Sequence, residues 1–180
     1  IHLVPRMGEM FNLIRVSTGG IMQFLIATSS WVILMKIIAG YGSAAVAGYT
    51  VAIRVIGFVI LPAWGLSNAA ATLVGQNLGA NKPQRAEQFV WRVAGYNFAF
   101  LMSVAVVFIA VTEPIIGLFT QDPAINVHAV SCLRWFSYGL GLFAIGLVLS
   151  QAFNGAGDTM IPTKINFVAF WITQLPLAYW

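Results

Sequence analysis

Residues 93–111 read VAGYNFAFLMSVAVVFIAV, nineteen consecutive positions without an Asp, Glu, Lys or Arg. A helix needs about 20 mostly apolar residues to cross about 30 Å of hydrocarbon, so this run predicts a membrane span at about 92–112. Working outward, comparable apolar runs lie at about 13–39, 45–75, 130–153 and 162–180. The expected fold is all-α: a polytopic membrane helix bundle of five transmembrane helices, the last truncated, with 1–180 forming a single membrane region. The second run is too long for a perpendicular crossing and contains Pro62, which predicts tilt, a kink or extension past the bilayer.

The composition agrees with that reading. Of 180 residues, 59% are hydrophobic and 8% charged, against about 25% charged in an ordinary soluble domain. Too few charged side chains are present to solvate a soluble enzyme or a disordered tail. The net charge of +4 comes from nine Lys and Arg spread along the chain. They form no cluster able to track phosphates, which excludes nucleic acid and leaves the bilayer as partner. One cysteine, Cys132, makes no internal disulfide framework, and no paired ligand spacing suits a metal or other cofactor.

The cations serve as topology markers instead. Arg6 and Arg15 precede or open the first span, Lys82, Arg85 and Arg92 lie between the second and third, and Lys164 follows the fourth. Residues 41–43 and 113–127 carry no Lys or Arg. The positive-inside rule predicts a cytoplasmic N-terminus and cytoplasmic loops at 77–91 and 154–161. Nothing of signal-peptide type precedes the first span, and the last apolar run is still going at Trp180, so both ends are expected to lie inside a longer protein.

Two connectors carry the most specific wording: residues 74–83, VGQNLGANKP, and residues 154–159, NGAGDT. A phosphate-binding loop is excluded, because the first lacks a GK[ST] ending and neither follows a β-strand. On packing grounds, Gly75 and Gly79 let helices approach and Gly157 caps one.

With Ala45 and Ala47, Ile53-Arg54, Gly75-Gln76, Gly79-Ala80, Lys82-Pro83, Arg85-Ala86, then Gly155, Gly157, Asp158, Thr159 and Pro162, the chain resembles the multidrug and toxic compound extrusion (MATE) transporters. That resemblance implies a twelve-helix cation-coupled antiporter of two six-helix lobes, with this chain supplying helices seven to eleven of the C-terminal lobe. The activity it implies is export of small, cationic organic compounds in exchange for protons or sodium ions, in the plasma (inner) membrane. The partner it implies is a missing N-terminal lobe of the same chain. The sequence departs from the family pattern where a proline is common early in the first helix; here Gly20 stands beside Gly19, which predicts a softer helix start. No acid lies mid-span: Glu9, Glu87, Glu113, Asp122 and Asp158 all fall at span ends or in loops. The coupling site is therefore expected in the missing lobe.

Polar or aromatic residues within the spans are the candidates for cavity lining: Gln23, Arg54, Trp64, Asn68, Tyr138, Gln151 and Asn166. Each polar one costs free energy in hydrocarbon unless it faces protein or water, so each is either cavity lining or interhelical glue. Gln23 and Ser30, seven apart, could mark one wet stripe of the first helix. Arg54 either snorkels to the interface or faces the cavity. Competing functions are a lipid-linked oligosaccharide flippase, which would want a more cationic cavity, and a membrane scaffold without transport. An intramembrane enzyme would need clustered His, Asp or Glu, and none occurs in the spans.

Overall fold

The computed structural model describes residues 7–180, without the side chains of Glu9, Asn12, Leu13, Arg15 and Val16. Arg6 lies outside the described residues. Helix α1 runs Met7–Ala39, α2 Ser43–Gly79, α3 Pro83–Ala110, α4 Thr112–Gly117, α5 Pro123–Gly155 and α6 Met160–Phe167; a π-helical turn, Val168–Gln174, leads into α7, Leu175–Tyr179. Among the described residues, four helices are long and apolar enough to cross a membrane. The protein is a polytopic all-α membrane bundle. The expected run at 162–180 is helical but changes from α to π and back, with its carbonyls reached from five residues on, as in Leu175 N–H donating to Phe170 O.

Helices α1, α2 and α5 outlast the apolar runs that predict them, and α3 starts earlier but stops at Ala110, two residues short of its run; helix ends are set by backbone capping and not by hydropathy. At 37 residues, α2 is about 56 Å long, against about 30 Å of hydrocarbon. It is therefore much longer than a perpendicular crossing needs, and Pro62 is accommodated inside the continuous helix. Likewise α1 continues unbroken through Gly19 and Gly20.

The described chain forms two compact units, one from Met35 to Ala156 and the other combining α1 up to Leu34 with Gly157–Trp180. In the larger unit, α2 and α5 run parallel, in contact at both ends. At one end a Cβ on Gly48 would meet His128 Cβ at 2.6 Å and Ala129 N at 2.8 Å. At the other, a Cβ on Gly155 would overlap the Ala71 carbonyl oxygen and lie 2.6 Å from Ala71 Cα. Lipid offers helices no hydrophobic drive to associate, so close backbone approach at small residues supplies the dispersion that holds them.

Helix α3 packs against this pair, its inward face marked by Ala86, Val90, Val93, Ala94, Asn97, Leu101, Ala105 and Phe108 at helical spacing. The core joins Ala52, Val55, Ile56 and Ala63 of α2 to Leu101 and Ala105 of α3 and Leu133, Leu140 and Ala144 of α5. At the Gly48 end of the unit, Arg134 Nη2 donates to Glu113 Oε1 at 3.2 Å, linking α5 to α4. Both partners are exposed, so Glu113→Gln should lower stability by no more than about 0.5 kcal/mol, measured as the melting temperature at low and high salt.

In the smaller unit, α1 meets the last span along one stripe, residues 19, 23, 26 and 30. Thr163 Oγ1 donates to Gly19 O (3.3 Å), Gln23 Nε2 to Thr159 O (3.1 Å), Trp171 Nε1 to Ile26 O (3.2 Å) and Ser30 Oγ to Phe170 O (3.4 Å). Phe167 and Trp171 stack with centroids 6.2 Å apart. The seam is polar inside an apolar helix pair, and each bond satisfies a group that lipid would leave unpaired.

Candidate functional site

The packed residues of α2 include Ala45, Ala52, Ala63, Ala70 and Val74. On the opposite side of the same helix, Arg54, Phe58, Leu61, Gly65, Asn68 and Thr72 recur at spacings of four and three. All six are exposed within their unit. A face that mixes guanidinium, carboxamide, hydroxyl and glycine is a poor surface for hydrocarbon. Trp64, half-exposed at 48%, stands at its edge. Thr72 Oγ1 donates to the main-chain oxygen of Asn68 at 3.1 Å, and the exposed Asn68 carboxamide has no partner among the described residues.

Arg54 lies eleven residues after Ser43, about 17 Å along the helix axis.

The other predicted residues are distributed differently. Tyr138 is 63% exposed on α5 and meets Trp135 edge-on, ring centroids 5.9 Å apart. Gln151, half-buried near the end of α5, accepts from Asn154 Nδ2 at 3.1 Å. Asn166 is half-buried on α6. Gln23 and the buried Ser30 belong to the α1 seam, where they bond backbone carbonyls of the last span. The structure therefore brings Arg54, Asn68 and Trp64 together on one helix side and sets the rest on other helices.

The motif residues are helix punctuation. Asn81 adopts φ 56°, and Lys82 N–H donates to Asn77 O (2.8 Å) while Asn81 N–H donates to Leu78 O (3.0 Å). This is a Schellman stop with Asn in the left-handed position, with Ala80 N–H also satisfied by Gln76 O at 3.1 Å. Pro83 then starts α3, where its missing N–H costs nothing. Gly157, at φ 83°, turns the chain after α5, and Asp158 Oδ1 accepts from Met160 N (3.2 Å) and Ile161 N (3.4 Å) at the start of α6. Because α2 and α5 are parallel, their stops fall at the same end, where a Cβ on Gly75 would come 3.2 Å from Gly155 O. A Cβ on Gly79 would meet nothing within 4 Å, so packing in this unit does not require a glycine there.

Asn97 was not among the candidates. In the middle of the run that predicts α3, it is fully buried; its Nδ2 donates to Ala144 O at 3.1 Å and lies 3.5 Å from Ser67 Oγ. Its Oδ1 has no partner among the described residues. It ties α3 to α5 beside α2 at mid-helix. The available signal was an amide at the centre of an otherwise apolar stretch, which must find a partner in the bundle.

Comparison with known proteins points one way. A profile of the MatE family matches residues 20–180. The chain is 27% identical over 177 residues to the probable multidrug resistance protein NorM of Thermotoga maritima, covering 97% of this chain and 38% of that protein. It is 20% identical over 176 residues to the probable multidrug resistance protein YpnP of Bacillus subtilis, covering 98% and 40%. It is 26% identical over 155 residues to the FAD transporter of Shewanella oneidensis, covering 81% and 32%. The chain thus spans about two fifths of the length of the first two relatives. With the apolar helix bundle and a match over nearly the whole chain, it belongs to the MatE family.

Proposed function

We propose that this chain is part of a secondary active exporter of small organic molecules, and that the side of α2 running from Arg54 to Thr72 lines its aqueous path. The observation that supports this most is the polar stripe lying opposite the packed side of a membrane helix. Such a stripe is stable only against water or other protein. Multidrug resistance relatives are the reason to read the path as one for drugs.

On this reading the substrate is a small organic cation, exchanged for protons or sodium ions across the plasma membrane. Trp64 and Tyr138 offer ring faces to such a cation. The facing wall and the coupling carboxylate belong to an N-terminal lobe of the full-length protein, since the acids of this chain sit at helix ends or in loops. The N-terminus of this chain and its two motif loops are cytoplasmic. The segments 77–83 and 154–159 act as hinges and stops, not as ligand sites.

A second reading keeps the path and reverses the charge of its cargo. Arg54 places a cation on the stripe, and one relative is named an FAD transporter, so an anionic flavin-like substrate would be held by charge-assisted bonding. Dye and flavin export from cells expressing the full-length protein separates the two. Gly65→Leu, which adds a side chain into open space, should leave expression unchanged and cut export about tenfold. Arg54→Gln should spare cationic dye export but lower flavin export about tenfold. Wild-type export of both by both variants would remove the α2 stripe from the path.

A further inference from the structure

Beyond the α2 stripe, the larger unit carries a second recess, where the last turns of α2 and α5 meet the start of α3. A crevice of about 310 Å³ opens there, walled by Val74 of α2, Val90 of α3 and Ala152 and Phe153 of α5. That volume is at the lower end of the range for small-molecule sites. The α3 wall is a single side of its helix, because Glu87, Val90 and Trp91, spaced by three and four, all line the crevice.

Glu87 is the one charged side chain in the lining. It is exposed and has no ion-pair or hydrogen-bond partner among the described residues. The cations nearby leave α3 on its other side. At about 100° per residue, Arg85 and Arg92 stand about 140–160° around the helix from Glu87. Arg85 is engaged there over the Phe89 ring, 5.7 Å from its centroid, and Lys82, at the helix cap, is not part of the lining.

An apolar recess whose single charge is an unpaired carboxylate suits an apolar body that carries a positive charge. The Trp91 indole, 58% exposed, stands one turn from Glu87 on the same side and offers a ring face to that charge. An anion would be repelled by Glu87, and a neutral molecule would leave it unmatched.

We propose that this crevice is a binding site for amphipathic organic cations, with the apolar body between α3 and the α2–α5 pair and the cationic centre beside Glu87 and Trp91. Val74 belongs to the packed side of α2, so the site is separate from the exposed stripe and stands whether or not that stripe lines an export path.

The test uses the full-length protein in neutral detergent and two competitors of one size and shape, tetraphenylphosphonium and tetraphenylborate. A triphenylphosphonium bearing an aryl azide reports the site by its cross-links, located by peptide mass spectrometry. Cross-links within residues 86–91 and 149–153 are the expected result. The concentration of each competitor that halves them is then compared between parent and variants, which cancels their different partitioning into detergent. Glu87→Gln, at an exposed position, should weaken tetraphenylphosphonium about fivefold and should not weaken tetraphenylborate. Glu87→Lys should weaken the phosphonium further and strengthen the borate. Arg85→Gln, on the other side of α3, should not weaken the phosphonium. Ala152→Phe, which fills the crevice, should abolish the cross-links; should that variant fail to fold, the two Glu87 variants decide with the crevice intact. Cross-links confined to other segments, or equal changes in both competitors on Glu87→Gln, would overturn the proposal.

Discussion

Gly155→Leu should leave little folded protein. A Cβ at this position overlaps the Ala71 carbonyl oxygen and sits 2.6 Å from Ala71 Cα, so the obstruction is backbone and cannot rotate away. Helices α2 and α5 would have to separate at the end where both stop, and the Val74, Val90 and Val148 cluster beside that end would open with them. Overpacking usually costs about 1–3 kcal/mol and more when backbone must move, which is a large share of a total stability of about 5–15 kcal/mol. Monodispersity and melting of the detergent-solubilised full-length protein measure it. Gly139→Ala is the matched control, because nothing lies within 4 Å of its added methyl. It should melt at or above the parent temperature, since alanine in a helix is favoured over glycine by about 0.5–1 kcal/mol. Equal melting of the two variants would mean that the glycine contact does not hold the pair.

Gly19→Leu should open the other unit in the same way. Its Cβ would overlap Thr159 Oγ1 and lie 2.5 Å from Thr159 Cβ, so the start of α6 must retreat. That retreat breaks the Gln23–Thr159 and Thr163–Gly19 bonds, which lie at the same crossing. Interhelical hydrogen bonds in membranes average only about 0.6 kcal/mol, so Gln23→Ala alone should be mild. The steric variant differs because it displaces the whole seam. Hydrogen exchange of the α6 amides should rise by more than about tenfold in Gly19→Leu and by less than about threefold in Gln23→Ala. Equal protection in both would show that the crossing tolerates a side chain at residue 19.

The membrane class was readable because it depends on composition, and a lipid environment tolerates few alternatives to the helix. The motif loops were readable for a local reason: Asn81 and Gly157 hold the positive φ that ends α2 and α5, and a helix stop is a property of a few consecutive residues. Gln23 could not be assigned in advance, since an intramembrane amide suits a wet stripe and a dry seam equally well; the neighbouring Thr159 carbonyl, 136 positions away in the chain, places it in the seam. The burial of Asn97 follows from where α5 lies, since its partner, the Ala144 carbonyl, is 47 positions away in the chain.

Hydropathy and short-range wording were thus enough for a helical membrane protein and its family likeness. They could not say which side of α2 is packed and which carries Arg54, Asn68 and Thr72 outward, nor that Gly155 and Gly19 are crossing points while Gly79 and Gly139 are not. Those answers came from the packing of the helices. Helical periodicity says that two residues share a side, but a nearly uniform apolar helix does not say which side meets a neighbour. That is settled by where another backbone comes close enough to exclude a Cβ, a contact made between residues far apart in the chain.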